Sequence, residues 1–304
     1  MLLNQVFCAF KFEKESYCGK KTLIYYDENI SRFLGYAAKR CSCSVEELDT
    51  SIVTRDFIIA YLSHLRTLGV TNTTVNTYFR AVKVFMSYCM DEGYISDNVL
   101  RRVKYLRSDQ KPIVPLMQDE VSCIDALFDK DAEQGLRNYC IIHLMLDAGF
   151  RCSDVVNLNI SDINFENHYL IVQGKGSKYR CVPMSQRLEK YILTYILKYR
   201  ENVKCEPLFV SLRRKGEYLT LNAIKQLFQK IKKSTGIVRL HPHMLRHTFA
   251  TSYIMGGGNL EFLRLMLGHS DYETTKIYLH LAQQSMMIKA NIYRLDSDFF
   301  KTGY

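Results

Sequence analysis

The stretch HPHMLRHTFAT, residues 241–251, and the stretch LGHSDYETTKIYLH, residues 267–280, carry the most informative side chains of this 304-residue chain. His243 and Arg246 stand three positions apart, so a helix over this stretch places both on one face. His269 follows a glycine turn, and Tyr278 comes after it in TTKIYLH. This spacing predicts short helices that bring histidine, arginine and tyrosine to one site.

Two earlier stretches add basic residues of the same kind. AGFRCSDV, residues 148–155, places Arg151 at a junction between helix and loop, and VQGKGSKYRCVP, residues 172–183, predicts a β-hairpin with Lys175 at its tip. Arginines bind the non-bridging oxygens of a phosphodiester and stabilise charge that develops on the phosphorus. Tyrosine is a covalent nucleophile, and histidine and lysine move protons. The set therefore predicts attack on a phosphodiester without a metal or other cofactor.

The distribution of charge supports a polyanionic partner. The chain carries a formal net charge of +10 at pH 7. Residues 116–173 hold 3 basic and 10 acidic side chains, whereas residues 174–247 hold 17 basic and 4 acidic ones, a larger excess than that of the whole chain. A block this basic is typical of nucleic-acid binding, although a solvated surface is the alternative on charge alone.

Hydrophobic periodicity predicts a mainly α-helical protein with a small β-sheet, organised in two domains. Residues 1–107 are expected to form a helical domain, with helices that begin at Thr22, at Thr54 and at Thr71 or Thr73, and a short fourth helix from Asn98. Residues 108–115, SDQKPIVP, are the expected linker. A mixed domain follows over residues 116–280; Asp119 is its first expected helix cap, and residues 281–304 are a tail.

Other classes of protein are excluded. No apolar run reaches the roughly 18 residues of a membrane span, and the N-terminus lacks the pattern of a signal peptide. The ten cysteines show no CxxC pair or metal-binding spacing with histidine, so we expect reduced, structural thiols and no metal site. These features predict a cytoplasmic protein or, in a nucleated cell, a nuclear one.

Taken together, these stretches resemble the tyrosine recombinase family, also called the phage integrase family. The four motifs quoted above match that family in order and in register over about residues 116–280. The N-terminal helices resemble its SAM-like core-DNA-binding domain, and Asn76 and Gly93-Tyr94-Ile95 are among the matching residues. Two departures, Val99 where a proline is common and Cys152 after the first arginine, do not touch the chemistry.

The resemblance implies a role for each motif residue. Arg151 and Arg246 would bind the scissile phosphate, and Lys175 would protonate the leaving 5′ oxygen. The remaining assignments are His243 as general base toward the tyrosine, His269 as a hydrogen-bond donor to the phosphate, Tyr278 as the nucleophile and Asp154 as a supporting residue. His247 is expected to be structural, and Tyr272 is the rival nucleophile.

The family also implies a partner and an assembly. We expect a two-domain clamp on double-stranded DNA with specific core sites, a homotetramer that exchanges strands through a Holliday junction, and accessory DNA-bending or directionality proteins. No segment before Thr22 is long enough for an arm-binding domain, which favours a compact Xer-like or transposon-type enzyme whose C-terminal tail docks on a neighbouring subunit. The candidate phosphate contacts are Arg80, Lys83, Arg101, Arg102, Arg213, Arg214, Lys215, Lys232 and Lys233. A type IB topoisomerase and a non-catalytic DNA-binding regulator are the alternatives.

Overall fold

The computed structural model describes residues 1–95, 99–107, 114–174, 179–200, 206–212, 217–269 and 271–283. Two compact units divide the chain, Met1–Lys111 and Pro112–Tyr304. Each unit has its own hydrophobic core. Among the described residues, no helix is both long and apolar enough to cross a membrane, and every cysteine is a free thiol.

Four α-helices build the described part of the N-terminal unit: α1 (Leu3–Glu15), α2 (Lys20–Cys41), α3 (Arg55–Thr67) and α4 (Asn72–Asp91). Two 3-10 helices, Val45–Glu47 and Thr50–Ile52, lie between α2 and α3. Their buried faces pack together, because most of the stability of a helix in a protein comes from packing of its apolar face. The expected caps of α3 and α4 are confirmed, since the hydroxyls of Thr54 and Thr71 accept hydrogen bonds from Phe57 N and Thr74 N.

Three expectations for this unit are wrong. Helix α1 is not among the expected helices, yet its residues Leu3, Val6, Phe7 and Phe10 are buried in the core. Helix α2 begins two residues before Thr22, after the N-cap Gly19. The segment 99–107 contains no helix, although Asn98 itself lies outside the described residues.

That segment is held against α4 by amide side chains. Nδ2 of Asn76 donates to the carbonyl of Leu106, and the backbone N–H of Leu106 donates to Oδ1 of Asn76, each over 2.8 Å. Nδ2 of Asn72 donates to the carbonyl of Arg107, also over 2.8 Å. The basic segment therefore has a fixed place beside α4 without forming regular structure of its own.

The C-terminal unit places helices around one small sheet. Its elements are α5 (Gln118–Asp125), α6 (Glu133–Leu146), α7 (Cys152–Asn157), β1 (Ile163–Asn164), β2 (Tyr169–Gln173), β3 (Tyr179–Pro183), α8 (Gln186–Tyr199), α9 (Leu221–Thr235), α10 (Pro242–Met255), α11 (Leu260–Leu267) and α12, described over residues 273–283. The N-cap of α5 is Met117, so Asp119 lies in the first turn of that helix and does not cap it.

The strands form an antiparallel sheet in the order β1–β2–β3. Leu170 pairs with Val182, and both side chains are buried, which fixes the register because a slip of one residue would turn them to the other face. The expected hairpin is confirmed in its strands, whereas its tip, residues 175–178, lies outside the described part of the chain.

Candidate active site

Helix α10 supplies three of the site residues. His241 caps the helix by accepting from Met244 N over 3.2 Å, and Pro242 occupies the first helical position, where its missing N–H costs no hydrogen bond. The next turns place His243, Arg246 and His247 along one face, because positions three and four apart are neighbours on a helix.

Arg246 is 3% exposed and is anchored by backbone carbonyls. Its Nη1 donates to Gly149 O and its Nη2 donates to Leu267 O, both over 2.6 Å. Burial, and next the nearby charge of Arg151, lower the pKa of Arg246, but a guanidinium remains charged at neutral pH. The protein therefore holds a buried positive charge whose partners are dipoles and not carboxylates.

Gly149 makes that contact possible. Its φ of +66° lies in the left-handed region, and a Cβ there would meet a ring carbon of Phe249 at 2.5 Å and a methyl carbon of Leu267 at 2.9 Å. Only glycine therefore fits at this turn. The turn places the carbonyl of Gly149 against Arg246 and leads the following residues to the site.

Arg151 follows that turn as the N-cap of α7. Its backbone N–H donates to Oδ2 of Asp154 over 2.9 Å, and the same oxygen accepts from Nη2 of Arg180 over 2.6 Å. Asp154 and Arg180 are both largely buried. The sequence predicts Asp154 as a supporting residue, whereas it gives Arg180 no role.

The C-terminal end of α11 collects arginines from four parts of the unit. Four successive carbonyl oxygens there, which have no partner within the helix, each accept from a guanidinium. The pairs, carbonyl first, are Met266 with Arg180, Leu267 with Arg246, Gly268 with Arg151 and His269 with Arg264, over 2.8, 2.6, 3.4 and 3.0 Å. The negative end of the helix dipole thus lies among positive side chains, and it fixes their positions.

Tyr278 lies on α12 and is 3% exposed. Its hydroxyl oxygen lies 2.9 Å from Nδ1 of His247, within hydrogen-bonding distance. Burial raises the pKa of the Tyr278 hydroxyl, an effect that Arg246 and Arg151 partly offset. The sequence predicts His247 as a structural residue, and this contact instead places it in the site. The sequence did hold a signal for this placement: His247 lies four positions after His243, so both side chains lie on the same face of the helix.

His269 also faces this group. Its Nε2 lies 3.0 Å from Nη2 of Arg246, and its Nδ1 lies 2.9 Å from Oγ1 of Thr275. Because a guanidinium only donates, Nε2 is the acceptor in this pair, and burial together with Arg246 lowers the pKa of His269 to about 4. In this structure the neutral ring therefore orients Arg246.

These residues surround one cavity of about 290 Å³, lined by Arg151, His243, Arg246, His247, His269, Glu273, Thr274, Ile277 and Tyr278. The structure thus brings together five of the six predicted catalytic residues. The sixth, Lys175, lies outside the described residues. Tyr272, the rival nucleophile, does not line the cavity; it is 43% exposed, with Lys276 over its ring.

The predicted DNA contacts fall on both units. Arg80 is exposed on α4, and Lys83 on the same helix lies 5.1 Å from the ring centre of Tyr105. Arg101 and Arg102 are exposed in the segment that Asn76 holds. Lys232 and Lys233 lie in the last turn of α9. Arg213, Arg214 and Lys215 lie outside the described residues.

The chain matches two family models. The phage integrase family model covers residues 116–285, and the phage integrase SAM-like domain model covers residues 6–105. The chain is 32% identical to the tyrosine recombinase XerC of Chlamydia trachomatis serovar L2 over 248 residues, which are 81% of this chain and 78% of that protein. It is 28% identical to XerC of Bacillus pumilus over 274 residues, 87% of each chain.

Solved structures share the fold. The Tn1549 transposon integrase in complex with a circular intermediate DNA matches with a TM-score of 0.74 at 20% identity, over 95% of this chain and 99% of that one. The XerH recombinase bound to palindromic difH matches with a TM-score of 0.70 at 24% identity, over 93% and 82%. This chain belongs to the phage integrase family and is a tyrosine-type site-specific DNA recombinase.

Proposed function

We propose that the protein cuts and rejoins double-stranded DNA at specific core sites through a 3′-phosphotyrosine bond to Tyr278. The observation that carries this proposal is the convergence of two anchored arginines, three histidines and one buried tyrosine on a single cavity. A tyrosine beside paired guanidinium groups suits attack on a phosphodiester, because the arginines stabilise the charge of a pentavalent phosphorus.

The arginines retain the capacity to bind an anion. A guanidinium carries five N–H groups, and the described hydrogen bonds use three of them in Arg246 and one in Arg151. The free groups of Arg151 and Arg246 would hold the two non-bridging oxygens of the scissile phosphate. His269 would then donate to the phosphate only after a proton reaches its Nε2, which at present accepts from Arg246.

Two further roles follow from the family resemblance. Lys175, between β2 and β3 in the sequence, would protonate the leaving 5′ oxygen. His243, which is exposed on the first turn of α10, would line the entrance of the phosphate and accept the tyrosine proton. Asp154 would hold the backbone of Arg151 in place.

The same proposal extends to assembly and location. Paired cleavage on two duplexes needs four active subunits, so we propose a homotetramer in the cytoplasm, joined to accessory DNA-bending or directionality proteins, that passes through a Holliday junction. The fold neighbours include both Xer recombinases and a transposon integrase. Integration, excision, transposition and chromosome-dimer resolution all fit the same chemistry. The exposed Arg80, Arg101, Arg102 and Lys233 would contact phosphates of the core site.

Covalent trapping on DNA tests the function. The core site is first recovered from a random duplex pool by its affinity for the Tyr278→Phe protein, and the cut position is mapped. A duplex nicked beside that position then accumulates the covalent adduct, which survives denaturant. We expect an adduct with the wild type, none with Tyr278→Phe despite equal binding, and a normal adduct with the matched control Tyr272→Phe.

The products identify the class of enzyme. Joined products from a supercoiled plasmid with two recovered sites support recombination. Relaxation of a plasmid without those sites indicates a topoisomerase, and binding without any adduct indicates a regulator. An adduct that persists in Tyr278→Phe and disappears in Tyr272→Phe contradicts the assignment of the nucleophile.

A further inference from the structure

Thr275 is fully buried in the first turn of α12, and its hydroxyl faces His269. Its Oγ1 lies 2.9 Å from Nδ1 of that ring. Tyr278 follows three positions later on the same face of the helix, and its hydroxyl contacts His247. In the described part of the chain, these two contacts are the side-chain hydrogen bonds that attach α12 to the rest of the site. Thr275 does not line the cavity, so it has no direct contact with a phosphate bound there.

The two contacts of His269 define which of its ring nitrogens carries the hydrogen. Burial, and next the charge of Arg246, lower the pKa of His269 to about 4, so the ring is neutral at physiological pH. Nε2 lies 3.0 Å from Nη2 of Arg246, and a guanidinium has only donors, so Nε2 is the acceptor. The single N–H group of the ring is therefore at Nδ1 and donates to Oγ1 of Thr275. The hydrogen bonds thus run from Arg246 through His269 to Thr275.

From this order we infer that Thr275 is a positioning residue for strand cleavage. Its hydroxyl fixes the orientation and the tautomer of the His269 ring, and thereby holds Arg246 in the pose that binds the scissile phosphate. The inference rests on the proposed function and deepens it. The roles proposed for the motif residues stay as they are, and one residue that acts through His269 is added to them.

Loss of this hydroxyl has a definite consequence for the site. The Nδ1–H group of His269 would stay buried without an acceptor, which is unfavourable. The ring avoids this state if its hydrogen moves to Nε2 or if the ring turns over. Either change removes the acceptor nitrogen from Nη2 of Arg246. The guanidinium would keep its bonds to Gly149 O and Leu267 O but would lose its third partner.

The same hydrogen bond sets the place of His269 beside the nucleophile. The ring centres of His269 and Tyr278 lie 6.4 Å apart, and the ring planes differ by 14°. Because Thr275 and Tyr278 share one face of α12, a ring held by Thr275 is also held next to Tyr278. Phosphate binding and the nucleophile are thus aligned through one buried hydroxyl.

Removal of the hydroxyl tests the role. Thr275→Val keeps the size of the side chain but loses the acceptor, whereas Thr275→Ser keeps the acceptor. On the nicked core-site duplex, we expect Thr275→Val to form the covalent adduct about tenfold more slowly, the rate equivalent of one lost hydrogen bond. Its affinity for DNA should be unchanged, and Thr275→Ser should recover most of the rate. The matched control is Thr194→Val, which removes a hydroxyl that donates to Lys190 O within α8.

A double-substitution cycle separates this role from a general effect on the helix. If Thr275 acts through His269, Thr275→Val should slow cleavage by less than about twofold once His269 is already alanine. A tenfold effect that persists in the His269→Ala protein would show that Thr275 acts independently of the ring, and would overturn the inference. Cleavage by Thr275→Val at the wild-type rate would do the same.

Nitrogen NMR of the 15N-histidine protein tests the hydrogen bond without DNA. The resonances of His269 are identified by their absence from the spectrum of His269→Ala. At pH 7 we expect a protonated Nδ1 and an unprotonated Nε2 in the wild type, and a mixture of both tautomers in Thr275→Val. A wild-type ring protonated at Nε2 would contradict the inference. This measurement on the wild type does not require that Thr275→Val folds.

The outcomes also separate the role of Thr275 from the proposed function. If the wild type forms no adduct on the recovered core site, the proposed function fails, and the role of Thr275 in it fails too. A normal wild-type adduct, together with an unslowed Thr275→Val protein or a His269 ring protonated at Nε2, overturns the role of Thr275 alone.

Discussion

Nη2 of Arg180 donates to Oδ2 of Asp154 over 2.6 Å, and this carboxylate oxygen also receives the backbone N–H of Arg151. Arg180 additionally donates from Nε to the carbonyl of Met266. One buried ion pair thus joins strand β3, the start of α7 and the end of α11. Lys175 precedes β3 in the sequence. Through Asp154, Arg180 therefore connects the strand that follows the proposed general acid with Arg151, the arginine proposed to bind the phosphate.

We predict that Arg180→Ala slows cleavage far more than it weakens DNA binding. Removal of one partner of a buried ion pair costs about 3–5 kcal/mol, because the carboxylate of Asp154 is left without its charge partner. The melting temperature should fall, and Arg180→Lys should recover part of the cleavage rate, since it keeps the charge but loses the paired N–H groups. The control is Lys198→Ala, an exposed charge 3.9 Å from Asp131. Equal losses of binding and cleavage would contradict a positioning role.

A second prediction concerns stability and pH. His143 is fully buried, with Nε2 2.8 Å from Asp125 and Nδ1 3.2 Å from Asp147. Burial lowers the pKa of His143, but the hydrogen bonds to the two carboxylates outweigh it and the pKa is raised overall. Because the folded pKa exceeds the unfolded value of about 6.5, the stabilisation is complete below that pH and is lost as pH rises through the folded pKa.

His143→Gln should therefore lower the melting temperature most at pH 6, and the deficit should shrink as the pH increases toward 9. Calorimetry of both proteins over this range gives the comparison. The range avoids titration of Asp147. Burial raises the pKa of this carboxyl, but the hydrogen bonds and charges of His143 and Arg187 together outweigh burial, so the pKa is lowered and the contribution of Asp147 is lost only in acid. A deficit that grows with pH would show that the histidine is neutral in the folded state.

Cleavage should be independent of divalent metal ions. In the proposed mechanism, Arg151 and Arg246 neutralise the charge that a metal ion would otherwise neutralise, and their guanidinium groups are held at the cavity. We expect adduct formation on the nicked duplex to proceed at the same rate in excess EDTA and in magnesium. Loss of the adduct in EDTA, with recovery after magnesium is added, would refute this prediction.

The N-terminal unit should bind phosphates through the exposed Arg80 and Arg101. Substituting both with glutamine should weaken binding to specific and random DNA alike, since arginines that bind phosphates read little of the base sequence. For each phosphate that is no longer neutralised, the slope of log affinity against log salt should become shallower by roughly 0.9. The control is Arg55→Gln, whose guanidinium lies 3.6 Å from the carboxylate of Asp56. An unchanged slope would place Arg80 and Arg101 away from the duplex.

The helices and the sheet were predictable where the periodicity of apolar residues was strong. The strands β2 and β3 match the expected hairpin because an alternating pattern of buried and exposed residues specifies them. Helix α1 lacks a start signal, since no side chain caps its N-terminus, although Leu3, Val6, Phe7 and Phe10 follow helical spacing. The N-cap of α5 differs from the prediction because Glu120, and not Asp119, accepts from the backbone at Met117.

The motif residues of the site were predictable, but their partners were not. Arg151, Arg246 and Tyr278 stand in recognisable motifs, whereas the contact of His247 with Tyr278 depends on how α12 lies against α10. In the sequence, nothing distinguishes Arg180 from the other basic residues of its segment. Its pairing with Asp154 depends on the tertiary distance between residues 26 positions apart, which no local pattern encodes.

The row of carbonyl oxygens at the end of α11 has a consequence for the entropy of substrate binding. Long, flexible side chains that become ordered only on binding cost about 0.5–1.5 kcal/mol each. Here Arg246 and Arg151 are ordered by the fold itself, through Leu267 and Gly268. A phosphate bound as proposed would therefore meet donors that the fold already positions, and more of its interaction energy would remain available to stabilise the transition state.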